Sequence, residues 1–385
     1  MINPLTGGLE FKTKSKQEFR DSEFSDVNEN FCPVMSTLSI EEKIKLVKEV
    51  GEEILNPDEI RGVFERNVMP ICYDGFEPSG RMHIAQGILR SLNVNRFVKA
   101  GCIFVFYVAD WFAQMNNKMG GDLEKIKIVG RYFIEIWKAA GMDLRNVKFI
   151  WATEEIAKNP TKYWQNVIDV ARHNTVDRIT RCCQIMGRKD DNLSAAQIMY
   201  PCMQCTDIFY LGANITSLGM DQRKVNVLCR EYCDDINQTI KPLIVSHHML
   251  KGLIQGCEKM SKSIPDSAIF MEDSKQDIER KIKKAYCPEK NVDDNPIMEY
   301  IKYLVFPKYG VFHLIRSEKN GGNKDYFSYE SLCEDYKNGN VHPGDLKPST
   351  AKVINDMIEP VRQHFANDPE AKRVLELVRS FEITR

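Results

Sequence analysis

Tyr73-Asp-Gly-Phe-Glu-Pro-Ser-Gly-Arg-Met-His-Ile-Ala-Gln-Gly87 is the stretch on which the fold turns. It continues the apolar run Met69-Pro-Ile-Cys-Tyr73, breaks at Asp74-Gly75, and passes through Gly, Pro and Ser into helix-forming residues. That is the pattern of a buried strand, a tight loop and a helix start. A helix start exposes unpaired amides and the positive end of the helix dipole, which suits a phosphate. His83, in the first turn, would stand beside that phosphate. Taken by itself, the segment equally fits a structural strand-to-helix loop whose His packs on the sheet. Neither a GxGxxG fingerprint nor a Walker A sequence is present, which disfavours ordinary Rossmann dehydrogenases and P-loop enzymes.

Outward from this segment the pattern repeats. Gly101-Cys-Ile-Phe-Val-Phe-Tyr-Val108 and Val147-Lys-Phe-Ile-Trp151 are further strand candidates, as are residues 214–217 and 242–246. Helical stretches lie between them, including 123–140. Alternating strands and helices predict a Rossmann-like, doubly wound parallel sheet in an α/β domain over residues 37–274. Its helical lead-in covers 39–66. A Ser39–Glu42 capping box starts a helix running to Leu55, and Asn56-Pro57-Asp58-Glu59 starts a second. A helical insertion spans about 152–213. From 275 to 385 the chain becomes mainly α-helical, apart from Gly/Asn/Pro-rich stretches at 320–322 and 342–344. Residues 1–36 are polar and aperiodic, and are predicted to be a mobile extension.

The chain has 385 residues, 43% of them apolar and 28% charged, so it has material for a sizeable core. No apolar run reaches the roughly 18 residues that span a bilayer, and residues 1–24 do not look like a signal or transit peptide. A cytoplasmic protein is expected. With 53 basic and 54 acidic residues, any nucleic-acid contact must come from a local patch such as Arg280-Lys-Ile-Lys-Lys284. The twelve cysteines read as reduced thiols.

Two further segments carry chemistry. Glu258-Lys-Met-Ser-Lys-Ser263 places two lysines and two serines in a polar, Gly-flanked loop that suits nucleotide phosphates; a solvated surface loop is the plainer alternative. In Tyr200-Pro-Cys-Met-Gln-Cys-Thr-Asp207, a helix at about 100° per residue puts Tyr200, Gln204 and Asp207 on one stripe. Such a stripe makes a poor core and a good polar pocket, or else an exposed face. Cys202-x-x-Cys205 with Cys229-x-x-x-Cys233 has zinc-ligand spacing, but Cys is also a common buried apolar residue, and no metal site is expected. His247-His248 lies on an extended segment, where neighbours point to opposite faces; it is taken as structural.

Together these segments resemble one family. His83-Ile-Ala-Gln-Gly87 is similar to the HIGH signature and Lys259-Met-Ser-Lys-Ser263 is a full KMSKS signature, both of class I aminoacyl-tRNA synthetases. From about residue 45 onward the chain resembles tyrosyl-tRNA synthetases of the archaeal and eukaryotic cytosolic type, several stretches being most similar to apicomplexan members. Tyr73-x-Gly-Phe-Glu-Pro-Ser-Gly80, Tyr200-Pro-x-Met-Gln-x-x-Asp207, Gly219-Met-Asp-Gln-Arg-Lys224 and Lys283-Lys-Ala-Tyr-Cys-Pro288 carry that likeness.

The resemblance implies ATP-dependent activation of L-tyrosine to tyrosyl-adenylate and transfer to the 3′ end of tRNA(Tyr). Tyr73 and Asp207 would bind the phenolic hydroxyl, and Tyr200, Gln204 and Gln222 the α-amino group. Gly219 and Asp221 would face the ATP ribose. His83, Gln86, Gly75, Gly80 and Lys259, Met260, Ser261, Lys262 and Ser263 would serve the triphosphate, with Mg²⁺ accompanying ATP. Arg280, Lys281, Lys283, Lys284, His342 and Asp345 would meet tRNA, with 275–385 as the anticodon-binding domain. A homodimer through the insertion is implied. Gln86 stands where the signature has its second His, and Asn320 where archaeal members have an anticodon-stacking aromatic. Rival readings are a tryptophanyl-tRNA synthetase, which shares the fold, and a tRNA-binding protein without catalysis.

Overall fold

The computed structural model of the chain describes residues 25–185, 193–257, 260 and 264–381. Among them six strands form one mixed sheet: β1 (Gly51–Leu55), β2 (Ile71–Phe76), β3 (Ile103–Val108), β4 (Val147–Trp151), β5 (Ile215–Gly219) and β6 (Leu243–His247). Their order is β1-β6-β5-β2-β3-β4. β2 to β6 run parallel, as the apolar runs predict. β1 is a correction. Ser39 caps α1 (Ile40–Val50) with the expected box, but the helix stops there rather than at Leu55. Glu53, Ile54 and Leu55 pair antiparallel with Ser246, Val245 and Ile244 instead. Sheet pairing overrides the helix propensity of these residues and gives the parallel sheet an antiparallel edge.

α2 (Glu59–Arg66) precedes β2. A π-turn over Ala85–Leu89 leads into α3 (Arg90–Lys99), and α4 (Asp110–Met115) and α5 (Leu123–Ala139) follow β3. The insertion is helical as predicted: α6 (Ala152–Lys158), α7 (Pro160–Arg172), α8 (Val176–Ile185) and α9 (Ala195–Tyr210) separate β4 from β5, and α10 (Arg223–Asp235) joins β5 to β6. Side chains alternate along β2. Tyr73 packs with Tyr107 and the apolar faces of α6–α10; Cys72 and Phe76 pack on the opposite face with α3 and α5. β2–β3–β4 step one way along the sheet and β5–β6 the other, so the topological switch lies between β2 and β5. Ligands of such sheets bind at the strands' carboxyl ends there.

The remainder is α11 (Lys275–Lys284), α12 (Pro296–Tyr300), α13 (Phe306–Tyr309), a hairpin of β7 (Phe312–Leu314) and β8 (Lys324–Tyr326), then α14 (Tyr329–Asn338), α15 (Pro343–Asn367) and α16 (Pro369–Ser380). The region is mainly helical as expected, and the hairpin falls at the Gly/Asn-rich break; its turn uses Gly321 and Gly322 at φ +100° and +69°, angles that glycine adopts at little cost. Ile278, Ile301 and Leu346 belong to the same apolar cluster as Phe104 and Phe106 of β3, so the core crosses residue 274 without a break. No helix among the described residues is long and apolar enough to cross a membrane.

Residues 25–36, expected to be mobile, are fastened to the surface. Asn28 bonds the Phe149 backbone through both its amide groups, at 2.9 and 2.8 Å. Asn146 treats Val34 the same way, and Ser25 binds Glu370. Asn28 thereby gives the Phe149 backbone, on the edge strand β4, the partners that a neighbouring strand would supply.

Candidate active site

The carboxyl ends of β2 and β5 hold the predicted pocket. Asp207 lies at its floor, buried. Its Oδ1 accepts the Tyr163 hydroxyl at 2.7 Å, whereas Oδ2 has no partner. Burial drives the Asp207 carboxyl well above the usual range, opposed by the Tyr163 and Tyr107 hydroxyls. Tyr107 faces Asp207 but its hydroxyl makes no bond of ordinary geometry. Tyr73, also buried, is raised by burial and by the neighbouring Asp207. A Cβ on Gly75 would stand 2.7 Å from the Tyr73 hydroxyl, so the ring's position demands glycine there.

The predicted stripe on α9 is present, and its polar groups reach upward in sequence. Tyr200 donates to Glu77 Oε1 at 2.7 Å, and Asn116 donates to the same oxygen. Gln204 Nε2 donates to Gln222 Oε1 at 3.3 Å, leaving Gln204 Oε1 buried without a partner. The Gln204 Oε1 acceptor, beside Gln222, suits an ammonium group. Sequence reading named Glu77 only as part of a motif and missed Tyr107 and Tyr163. Their positions on β3 and α7 carry no signal that would join them to Asp207.

On the side predicted to meet the triphosphate, Gly80 takes φ +68° and His83 bridges to Phe270. The Gln86 amide donates to His83 Nδ1 at 3.4 Å, and the Gln86 carbonyl accepts Trp137 Nε1 at 2.8 Å. The Gln86 side-chain Oε1 is buried without a partner. Asp74, adjacent to Tyr73 but on the other face, is buried 3.2 Å from Arg90. Burial pushes its carboxyl up to about 7, against the pull of Arg90. A Cβ on Gly219 would crowd Asp221 Oδ1 at 2.8 Å, consistent with a close backbone approach at the end of β5. Lys259, Ser261, Lys262 and Ser263 lie outside the described residues; Met260 is buried. The base of that loop is closed by Gly252 N to Cys257 O and Leu253 N to Ser267 O bonds.

Among the predicted tRNA residues, Lys281 is a correction. It is buried, its ammonium donating to Asp273 Oδ2 at 2.5 Å and Ala268 O at 2.9 Å, because α11 turns that position toward the core. Arg280 and Lys284 are exposed and share Asp266; Lys283 is exposed. His342 caps α15, accepting the Gly344 amide, and meets Glu289. Asn320 donates to both Asp345 oxygens. The cysteines cluster loosely: Cys229 contacts Cys205 and Cys233, and Cys202 neighbours Cys205, Cys182 and Cys183. Among the described residues no group of three or more His, Cys, Asp or Glu is arranged to hold a metal ion. His247 is half-buried, and desolvation of its ring lowers it to about 4; His248 stacks on Tyr303 and bonds Glu299.

Residues 65–359 match the family model described as tRNA synthetases class I (W and Y). A cytoplasmic tyrosine–tRNA ligase of Arabidopsis thaliana is 56% identical over 347 residues, covering 90% of each chain. Tyrosyl-tRNA synthetase of Leishmania major, solved with tyrosinol, superposes with a TM-score of 0.85 at 50% identity, over 90% of this chain and 53% of that one. This chain thus spans about half the length of the Leishmania protein. The Pyrococcus horikoshii enzyme, solved with L-tyrosine, gives 0.82 at 35% identity over 89% and 100%. With most of its length inside that family's boundaries, the chain belongs to the class I aminoacyl-tRNA synthetases of the tryptophan and tyrosine family. Within it, the similarity lies with tyrosyl-tRNA synthetases of the eukaryotic and archaeal type.

Proposed function

We propose that the chain is a tyrosine–tRNA ligase: it activates L-tyrosine with ATP and transfers the tyrosyl group to the 3′ end of tRNA(Tyr) in the cytoplasm. The observation that carries this reading is Asp207 Oδ2, an acceptor buried without a partner among three phenols. A ligand hydroxyl at that point would relieve the cost of leaving it unpaired, and an indole would bring no hydroxyl. Tyr73 and Asp207 hold the phenol; Tyr200, Gln204 and Gln222 hold the ammonium group.

The tyrosine carboxylate attacks the α-phosphorus in line, pyrophosphate leaves, and a terminal ribose hydroxyl of tRNA later takes the tyrosyl group. The nucleophile is already an anion, so the site must supply position and positive potential rather than a base. His83, the Gly75–Gly80 loop and Lys259, Met260, Ser261, Lys262 and Ser263 do so, with Gly219 and Asp221 against the ribose. Mg²⁺ enters as part of the ATP substrate, since this ion favours phosphate oxygens and water over a full protein cage. The exposed Ile168 and Val176 on the insertion support a homodimer. The cysteines work as thiols, without zinc.

Pyrophosphate exchange tests the assignment. Tyrosine should support it and tryptophan should not, and Asp207→Ala should lose the preference for tyrosine over phenylalanine. An unchanged preference in that variant would refute the pocket.

A further inference from the structure

The floor of the pocket is supported from a helix that the binding stripe does not include. Tyr163 stands on α7, in the insertion, and donates to Asp207 Oδ1 at 2.7 Å with both groups buried. Its own ring is fixed edge-on against Tyr210 at 5.3 Å and Trp164 at 5.9 Å. The helix is anchored just upstream, where Asn159 accepts the Lys162 amide and Pro160 opens the first turn. Asp207 Oδ2 is left buried and unpaired. An ionised carboxylate can only accept hydrogen bonds, and a phenol can donate one.

We propose that Tyr163 is a positioning residue for amino-acid selection: by occupying Oδ1 it fixes the Asp207 carboxylate and turns Oδ2 to the phenol of the substrate. This rests on the tyrosine reading above. The titratable groups facing Asp207 are Tyr73 on β2, Tyr107 on β3 and Tyr163 on α7. Cys229 on α10 and Asp110 on α4 act on Tyr73 and Tyr107 rather than on Asp207. No Lys, Arg or His among the described residues acts on it. With no cation to favour the charged form, the phenol hydroxyls of Tyr163 and, second, Tyr107 are what oppose burial, and Tyr163 is the one bonded at ordinary geometry. Tyr163 therefore sets both which oxygen meets the ligand and whether that oxygen is an acceptor.

Tyrosine- and phenylalanine-dependent pyrophosphate exchange by the full chain tests this. In Tyr163→Phe the ratio of the two kcat/KM values should fall about 10- to 100-fold, the loss of one hydrogen bond to a charged group. The acid limb of the tyrosine profile should rise by about one pH unit, because the carboxylate loses its stabilising donor. Tyr163→4-aminophenylalanine keeps the ring and returns an N–H donor at the position of the hydroxyl; its ratio should recover toward the parent's, with the acid limb below that of Tyr163→Phe. A Tyr163→Phe ratio near the parent's overturns the inference. So does an equal loss with both amino acids and an unmoved limb, the mark of a merely structural role. If Tyr163→Phe does not fold, the 4-aminophenylalanine variant decides alone: a tyrosine-to-phenylalanine ratio as low as about 1% of the parent's in that folded variant overturns the proposal. Absence of tyrosine-dependent exchange in the parent overturns the tyrosine reading and the inference with it, whereas an active parent matched by Tyr163→Phe overturns the inference only.

Discussion

The Gln86 backbone amide, donating to His83 Nδ1, makes that nitrogen an acceptor and assigns the ring proton to Nε2. Any non-proline residue at position 86 would supply that amide, so the bond orients His83 without replacing the second histidine of the signature. His83 should matter when charge builds on the leaving pyrophosphate. Replacing it with Ala is expected to slow adenylate formation about 10²–10³-fold, as for other removed electrostatic donors, with tyrosine affinity unchanged. Single-turnover adenylation and equilibrium tyrosine binding separate the two effects; a matching loss of tyrosine affinity would move His83 into the amino-acid pocket. His83 was legible in sequence because strand, loop and helix start are contiguous. Tyr163 was not: it lies 44 residues from Asp207, and only the packing of α7 on α9 brings them together.

α9 combines a legible stripe with an internal Pro201. Proline has no amide hydrogen, so the Gln197 carbonyl four residues earlier loses its helical partner. Cys183 of α8 answers this from outside the helix, its thiol donating to Gln197 O at 3.2 Å. Cys183→Ala should therefore destabilise the protein by about 1–2 kcal/mol in urea titrations, whereas Cys183→Ser, which keeps a donor, should cost less. Equal losses would mean that packing rather than the bond matters. Helix faces also explain the misreading of α11. Ile278, Ile282 and Ala285 form its buried stripe, and Lys281, three residues from Ile278, falls inside that stripe. Counting charges hid what the 3.6-residue period contained. Lys283→Ala and Lys284→Ala should weaken tRNA binding and flatten its salt dependence, since each phosphate contact releases counterion. Lys281→Ala should instead lower stability, leaving Asp273 buried without its ammonium partner. Filter binding across a salt series, with melting curves, distinguishes these outcomes.

At the level of the molecule, α5 joins the sheet region to both ends of the described chain. Arg131 donates to the Ser25 carbonyl, and Lys138 pairs with Glu135 and reaches Glu29. Glu135 Oε2 also meets His364 of α15 at 2.7 Å. Polar side chains bonding backbone across a hundred residues leave no periodic trace, which is why residues 25–36 looked like a loose extension. The continuous core was hidden for a related reason, since apolar periodicity marks a buried face without naming the element that covers it. Glu135 offers a direct test of this junction. Burial alone would raise its carboxyl, but the His364 hydrogen bond and the Lys138 charge outweigh it and hold the pKa below the ordinary 4.5. A carboxyl lowered by folding adds stability that is present above its unfolded pKa and lost as pH falls through the folded value. Glu135→Gln should accordingly reduce stability by about 1–3 kcal/mol near neutral pH. The gap between parent and variant should close as the pH drops below about 4.5, where the parent carboxyl protonates. Urea midpoints across that range measure the gap directly, and a gap that stays constant would show that the carboxylate's charge does not hold the junction together.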